Sequence, residues 1–361
     1  MLLLQVKKMR VLLQWTLIFP VLAWVLFFSG LIPGNDIFKF IASALLILSV
    51  MSAVHHSEII AFKVGEPYGT IILAVSITVI EVSIIISLMM SDGQEAVSLA
   101  RDTVYSATML ILNGIVGLCL LIGGLKHHEQ NFSKPSVTIA LVSLISIVVF
   151  TLVFPTFTKS VVGSYYSTPQ LVFASIACLV IYSFFLFAQT KRHRQYFLTT
   201  GDSEESIEIS KWVFLTSLVF LLISLGIVVL LAKTLSPTIE TIIANNNLPK
   251  ELVGVIIAAI ILLPEGVAAI NAAQKNRLQT SLNLSLGSAL ASIGLTIPSV
   301  AIVCIIYDMK IILGLDIKSI ILLGLSVFTV MLSLNSGKTN IVYGVVLLVN
   351  LFAFIFLLIF P

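Results

Sequence analysis

About eleven apolar stretches, each long enough to cross about 30 Å of hydrocarbon as a helix, succeed one another along this chain. They run from Val11 to Leu31, Ile37 to Val54, Gly69 to Ser91, Thr103 to Leu125, Ser136 to Phe154 and Pro169 to Gln189. After a polar gap they resume from Trp212 to Ala232, Glu251 to Ala273, Ser281 to Tyr307, Ser319 to Leu334 and Ile341 to Phe360. Hydrocarbon offers no partner to a backbone N–H or C=O, so each stretch must satisfy its own by turning helical. Charged residues are only 10% of the chain, against about a quarter in soluble domains, which excludes the soluble classes. The fold class is therefore an all-α polytopic membrane protein.

The longest strongly polar interruption, TKRHRQYFLTTGDSEESIEISK from Thr190 to Lys211, leaves five spans on each side once the first span is set apart as an extra. Blocks of odd span number enter the membrane in opposite senses, which is the inverted-repeat plan of secondary transporters, with the site near the midplane. The expected organisation is an extra N-terminal helix over 1–35, a first five-helix repeat over 36–189, a cytoplasmic acidic linker over 190–211 and a second five-helix repeat over 212–361. Lys7, Lys8 and Arg10 precede the first run, but no cleavage site follows, so that run is read as a retained helix. The larger share of Lys and Arg falls on the inner side when the N-terminus is cytoplasmic and the C-terminus extracytoplasmic. Basic residues such as Lys191, Arg192 and Arg194 then lie beside anionic headgroups, and nothing points to nucleic acid. Cys119, Cys178 and Cys304 stand alone inside apolar runs and read as inert buried thiols.

Two carboxylates lie where hydrocarbon is expected. Glu81 is deep in the third run and Glu265 deep in the eighth, and a charge at mid-bilayer costs about 3 kcal/mol on insertion scales. No basic residue lies in either run to pair with them, so an ion or proton path outweighs mere burial as protonated packing. Each acid is followed by a short loop and a helix with a polar stripe. In one, Thr103, Ser106, Asn113 and Gly117 recur at helical spacing; in the other, Ser281, Ser285, Ser288 and Ser292 do so. A carboxyl out of water holds a proton near neutral pH, and a cation set against two such groups competes for the same oxygens. Ca²⁺ takes six to eight oxygens, which Ser106, Asn113, Ser285, Ser288 and Ser292 help to complete. Pro264, Gly287 and Pro298 predict backbone breaks near the second acid, which would free carbonyls for the same purpose.

The segments HHSEIIAFKVGEPYGTIILAVSITVIEVSIIISLM, RDTVYSATMLILNGIVGLCLLIGG, LLPEGVAAINAAQKNRLQTSLNLSLGSALASIGLTIP and SGKTN resemble the calcium/proton exchanger family of the calcium/cation antiporter superfamily, in its bacterial ChaA-type branch. The resemblance implies a one-plus-five-plus-five helix plan and export of cytoplasmic Ca²⁺, or in this branch Na⁺ or K⁺, against H⁺ across the bacterial inner membrane. It also implies an essential cation- and proton-binding glutamate in each repeat, Glu81 and Glu265, and an acidic inter-repeat segment at Asp202 to Glu208. The family's Gly-Asn ahead of each acid is here Ile77 and Thr78, then Ile261 and Leu262; Thr78 still offers a hydroxyl one turn from Glu81. No cofactor is expected beyond the transported ions, and the partners are the bilayer and those cations, with a homo-oligomer left open.

A passive cation channel suits this pattern less well, since midplane acids in an inverted-repeat pair suit alternating access. An enzyme finds no support: there is no H-E-x-x-H and no G-x-S-x-G. His55, His56 and Glu58 read as an interfacial solvated cluster, Glu66 and Pro67 as a helix start, Asp202 to Glu208 as a solvated linker, and Arg101 with Asp102 as a pair at the membrane surface.

Overall fold

Every apolar run is helical in the computed structural model, which describes residues 2–64, 68–92, 97–161, 163–198 and 209–360. The helices are α1 (Leu2–Phe28), α2 (Asp36–Val64), α3 (Tyr68–Asp92), α4 (Leu99–His127), α5 (Lys134–Phe157), α6 (Thr168–Arg192), α7 (Lys211–Asn245), α8 (Glu251–Gln274), α9 (Leu278–Ile306), α10 (Ile317–Leu334) and α11 (Ile341–Ile359). Among the described residues nine of these are long and apolar enough to cross a membrane; the described apolar parts of α1 and α3, Trp15–Phe28 and Val75–Met90, are shorter. No strand occurs among the described residues, so the architecture is the all-helical membrane fold that the apolar runs require. The helix starts follow local chemistry. The Asp316 carboxylate accepts from Ser319 N at the head of α10, and the Asn340 side chain accepts from Val342 N at the head of α11. Glu66, Pro67 and Asp202 to Glu208 lie outside the described residues.

Two compact units are distinguished, Met1–Leu88 with Glu205–Asn245 and Met89–Glu204 with Asn246–Pro361, and each draws on both sides of the polar linker. In the first unit, α2 packs along α1 and α7 through a polar seam. The Ser52 hydroxyl donates to Thr16 O at 2.7 Å and lies 3.2 Å from the Ser224 hydroxyl, while the Trp24 indole donates to Ile223 O. His56 continues the Ser49–Ser52 stripe by one turn and its ring lies 5.8 Å from that of Phe220. It is wholly buried, whereas the sequence suggested a solvated interfacial cluster; His55 and Glu58 are half-buried. The correction has a simple cause: polar side chains of a membrane helix turn to the protein side rather than to lipid.

In the second unit α4 lies against α8, α9 and α11. The α4–α11 approach is close because glycines meet there: a Cβ on Gly344 would stand 2.6 Å from Leu121 N and 2.8 Å from Gly117 O. The expected breaks at Pro264 and Pro298 do not occur, since α8 and α9 run unbroken through both. Proline removes one donor, whereas unwinding in lipid would strand several groups, so continuity is the cheaper state. The irregular backbone falls elsewhere, in π-helical turns at Ala188–Arg192 of α6, Leu110–Ile115 of α4 and Val149–Val153 of α5. The latter precedes Pro155, which cannot donate to Thr151 O.

Candidate functional site

The second acid sits on a tight hairpin. Only Lys275, Asn276 and Arg277 separate α8 from α9, and Asn276 takes a left-handed conformation (φ 61°) that asparagine tolerates better than most residues. A polar clasp from the α4–α5 loop holds this turn. Gln130 Nε2 donates to Ala273 O at 2.9 Å and to Asn276 Oδ1 at 3.0 Å, and His127 Nε2 lies 2.9 Å from Gln274 O. Gln279 accepts from Ser133 N and donates to Ser136 Oγ and Asn283 Oδ1. None of these clasp residues was singled out from the sequence, because a polar residue at a helix end is common and its partners across the clasp, Asn283 apart, are 140 or more positions away.

Glu265 and Ser288 lie about ten residues to either side of that turn, about 15 Å along each helix. Equal distance from a short turn brings them face to face, and the Ser288 hydroxyl donates to Glu265 Oε2. Both side chains are half-buried. The neighbouring stripe members are more deeply buried: Ser285 donates to Ser281 O in its own helix, and Ser292 is 5% exposed. A carboxylate and a hydroxyl oxygen that meet midway along a helical hairpin can bind either a proton or a cation. On α3, Glu81 is 3% exposed and Thr78, one turn before it, is 5% exposed.

The stripe on α4 divides. Thr103 and Ser106 are buried, and the backbone at Asp102 and Thr103 meets α8 at Gly254. Asn113 instead donates to Ser326 Oγ on α10 at 2.9 Å, and Gly117 packs on α11. The π turn at Leu110–Ile115 accounts for the division, since one extra residue rotates everything beyond it by about 100° relative to an α-helix. Arg101 and Asp102 do pair, at 2.7 Å, but the carboxylate is buried, also accepts from the Ser98 hydroxyl, and Arg101 reaches on to Gly314 O. The three cysteines are buried and free. Among the described residues no group of three or more His, Cys, Asp or Glu is placed to hold a metal ion.

The chain is 39% identical to y4hA of Sinorhizobium fredii over 99% of both chains. It is 32% identical to the sodium-potassium/proton antiporter ChaA of Escherichia coli over 92% of both. A crystal structure of the H⁺/Ca²⁺ exchanger CAX superposes with a TM-score of 0.70 at 15% identity, covering 93% of this chain and 87% of that one, a likeness of fold. The sodium/calcium exchanger protein family matches residues 36–191 and 216–360, one block on each side of the polar linker. With both halves matched and full-length relatives that are transporters rather than enzymes, the chain belongs to the sodium/calcium exchanger protein family.

Proposed function

We propose that this protein is a secondary antiporter that exports cytoplasmic Ca²⁺ in exchange for H⁺ by alternating access, with Glu81 and Glu265 as the groups that carry cation and proton in competition. The observation behind this reading is the carboxylate–hydroxyl pair of Glu265 and Ser288 midway along the α8–α9 hairpin, with a second buried acid, Glu81, on α3. Protons and a cation that bind the same oxygens exclude one another, and that exclusion couples their movements. Thr78, Ser106, Asn113, Ser285, Ser288 and Ser292 are the neutral oxygens proposed to tune affinity, Ser288 foremost. The setting is the bacterial inner membrane, with the N-terminus cytoplasmic, the C-terminus extracytoplasmic and 36–189 and 212–361 as inverted repeats.

Na⁺ or K⁺ in place of Ca²⁺ is a second reading, favoured by the likeness to ChaA. Proteoliposomes loaded with a pH-sensitive dye and given Ca²⁺, Na⁺, K⁺ and Mg²⁺ in turn separate the two. Glu81→Gln and Glu265→Gln should each abolish cation-driven proton movement, because glutamine keeps the size but neither releases a proton nor neutralises a cation. Since protons compete, cation affinity should also fall as pH falls. Wild-type exchange in either glutamine variant would refute the assignment.

A further inference from the structure

One end of the second unit gathers cations that its own carboxylates do not balance. There the α4–α5 loop, the α8–α9 turn and the α10–α11 loop are joined: Gln130 Nε2 donates to Asn276 Oδ1 at 3.0 Å, and Thr339 N donates to Gln130 O at 3.0 Å. Lys126 and Lys134 flank the first of these segments, Lys275 and Arg277 stand on either side of Asn276, and Lys338 precedes Thr339; all five are exposed. The carboxylate within the three segments is that of Glu129, and Lys338 already pairs with it at 2.7 Å. Lys126, Lys134 and Lys275 make no ion pair among the described residues. The heads of α4, α8 and α10, at the opposite ends of the same helices, are balanced by contrast: Arg101 stands with Asp102, Lys250 with Glu251, and Lys318 with Asp316.

Helix dipoles account for only part of this charge. A cation at the C-terminus of α4 or α8 is favourable, but Lys134 is the first residue of α5 and Arg277 immediately precedes α9, where the positive end of the dipole repels them. The backbone that carries them is also fixed. Arg277 N donates to Ala272 O and Lys275 N to Asn271 O, closing the turn while Gln130 clasps it from outside. Like charges held together in this way repel one another, and an anion set among them relieves the repulsion. We propose that this end of the unit binds the phosphate of anionic phospholipid headgroups, with Lys275 and Arg277 at the centre and Lys126 and Lys134 contributing from the neighbouring loop. Lipid is the source because each of these four residues stands at the end of a helix long and apolar enough to cross a membrane, which is the depth of the headgroups. A phosphate shared by cations of two loops braces the turn of the α8–α9 hairpin, from which both Glu265 and Ser288 extend.

The test is thermal melting of the full chain in detergent, titrated with phosphatidylglycerol or with phosphatidylcholine. Phosphatidylglycerol should raise the melting temperature by several degrees and phosphatidylcholine should not, since a ligand that binds the folded state alone stabilises it. Lys275→Gln with Arg277→Gln should raise the half-saturating phosphatidylglycerol concentration about 25-fold, about fivefold for each cation lost. Added salt should weaken the wild-type response in the same direction. Lys250→Gln with Lys318→Gln, at the balanced ends, should leave the response at its wild-type value. If the first pair fails to fold, Lys126→Gln with Lys134→Gln carries the same expectation. A response reduced equally by the balanced-end pair, or unchanged in both clasp-end pairs, would overturn the proposal. An equal shift from phosphatidylcholine would overturn it too, and an equal shift from glycerol phosphate would assign the cations to a soluble anion instead of lipid. Melting involves no transport, so the outcome is independent of the roles proposed for Glu81 and Glu265.

Discussion

The α4–α8 contact makes a quantitative test of the packing that carries the site. A Cβ on Gly254 would stand 2.8 Å from the Asp102 carbonyl carbon and 3.0 Å from Thr103 N, where ordinary contacts are 3.4–4 Å. Both atoms are backbone, so relief requires α8 and α4 to separate by about half an ångström or more rather than one side chain to turn; overpacking of this kind costs about 1–3 kcal/mol. Gly287 on α9 is the internal control, because a Cβ there meets nothing within 4 Å. Alanine at either position gains about 1 kcal/mol of helix propensity over glycine. The difference between Gly254→Ala and Gly287→Ala therefore isolates the clash at about 1–3 kcal/mol. Thermal melts in detergent should place Gly254→Ala several degrees below Gly287→Ala, with Gly287→Ala at or above the wild type. Gly254→Ala melting as high as Gly287→Ala would show that the two helices are not in the contact described.

The polar groups around the site should separate into ligands and supports. Ser288→Ala should raise the apparent cation KM with proton coupling retained, while Ser164→Ala, far along the chain in the α5–α6 loop, should leave exchange unchanged; equal effects at both would show that Ser288 is not part of the site. Gln279→Ala removes three hydrogen bonds made by a side chain only 5% exposed, each buried partner left unpaired costing about 1–3 kcal/mol. Its melting temperature should fall with the cation KM unchanged, and a raised KM without loss of stability would make it a ligand instead.

The two acids stand out in the sequence because a carboxylate in a long apolar run that holds no basic residue is costly, and the structure places Glu81 buried on α3 and Glu265 half-buried on α8. The serine stripe of α9 was legible too, as that helix keeps α-helical spacing throughout and Ser288 meets Glu265. The α4 stripe was legible only as far as its π turn: spacing arithmetic assumes 3.6 residues per turn, and Asn113 and Gly117 lie in or beyond a segment that departs from it. Pro264 misled for a related reason, since proline carries a helix-breaking signal calibrated in water, and lipid reverses the balance by penalising the open alternative.

The sequence by itself determined that the chain crosses a membrane as helices and that each half carries an acid within an apolar run, because both follow from local apolar length and from the energy of isolated backbone and charged groups in hydrocarbon; the ends of α2 and α7, at Val64 and Asn245 rather than Val54 and Ala232, lie well beyond those runs. Only the tertiary structure decided that His56 lies buried in a seam of α1, α2 and α7, that Gln130 and Gln279 clasp the α8–α9 turn, and that Tyr182 of α6 packs on α9 at Gly294. Each of these joins residues far apart in the chain, and each depends on which face a helix turns to its neighbours. In lipid that choice is set by small-residue contacts and polar pairing between helices rather than by hydrophobicity, which is nearly uniform around them.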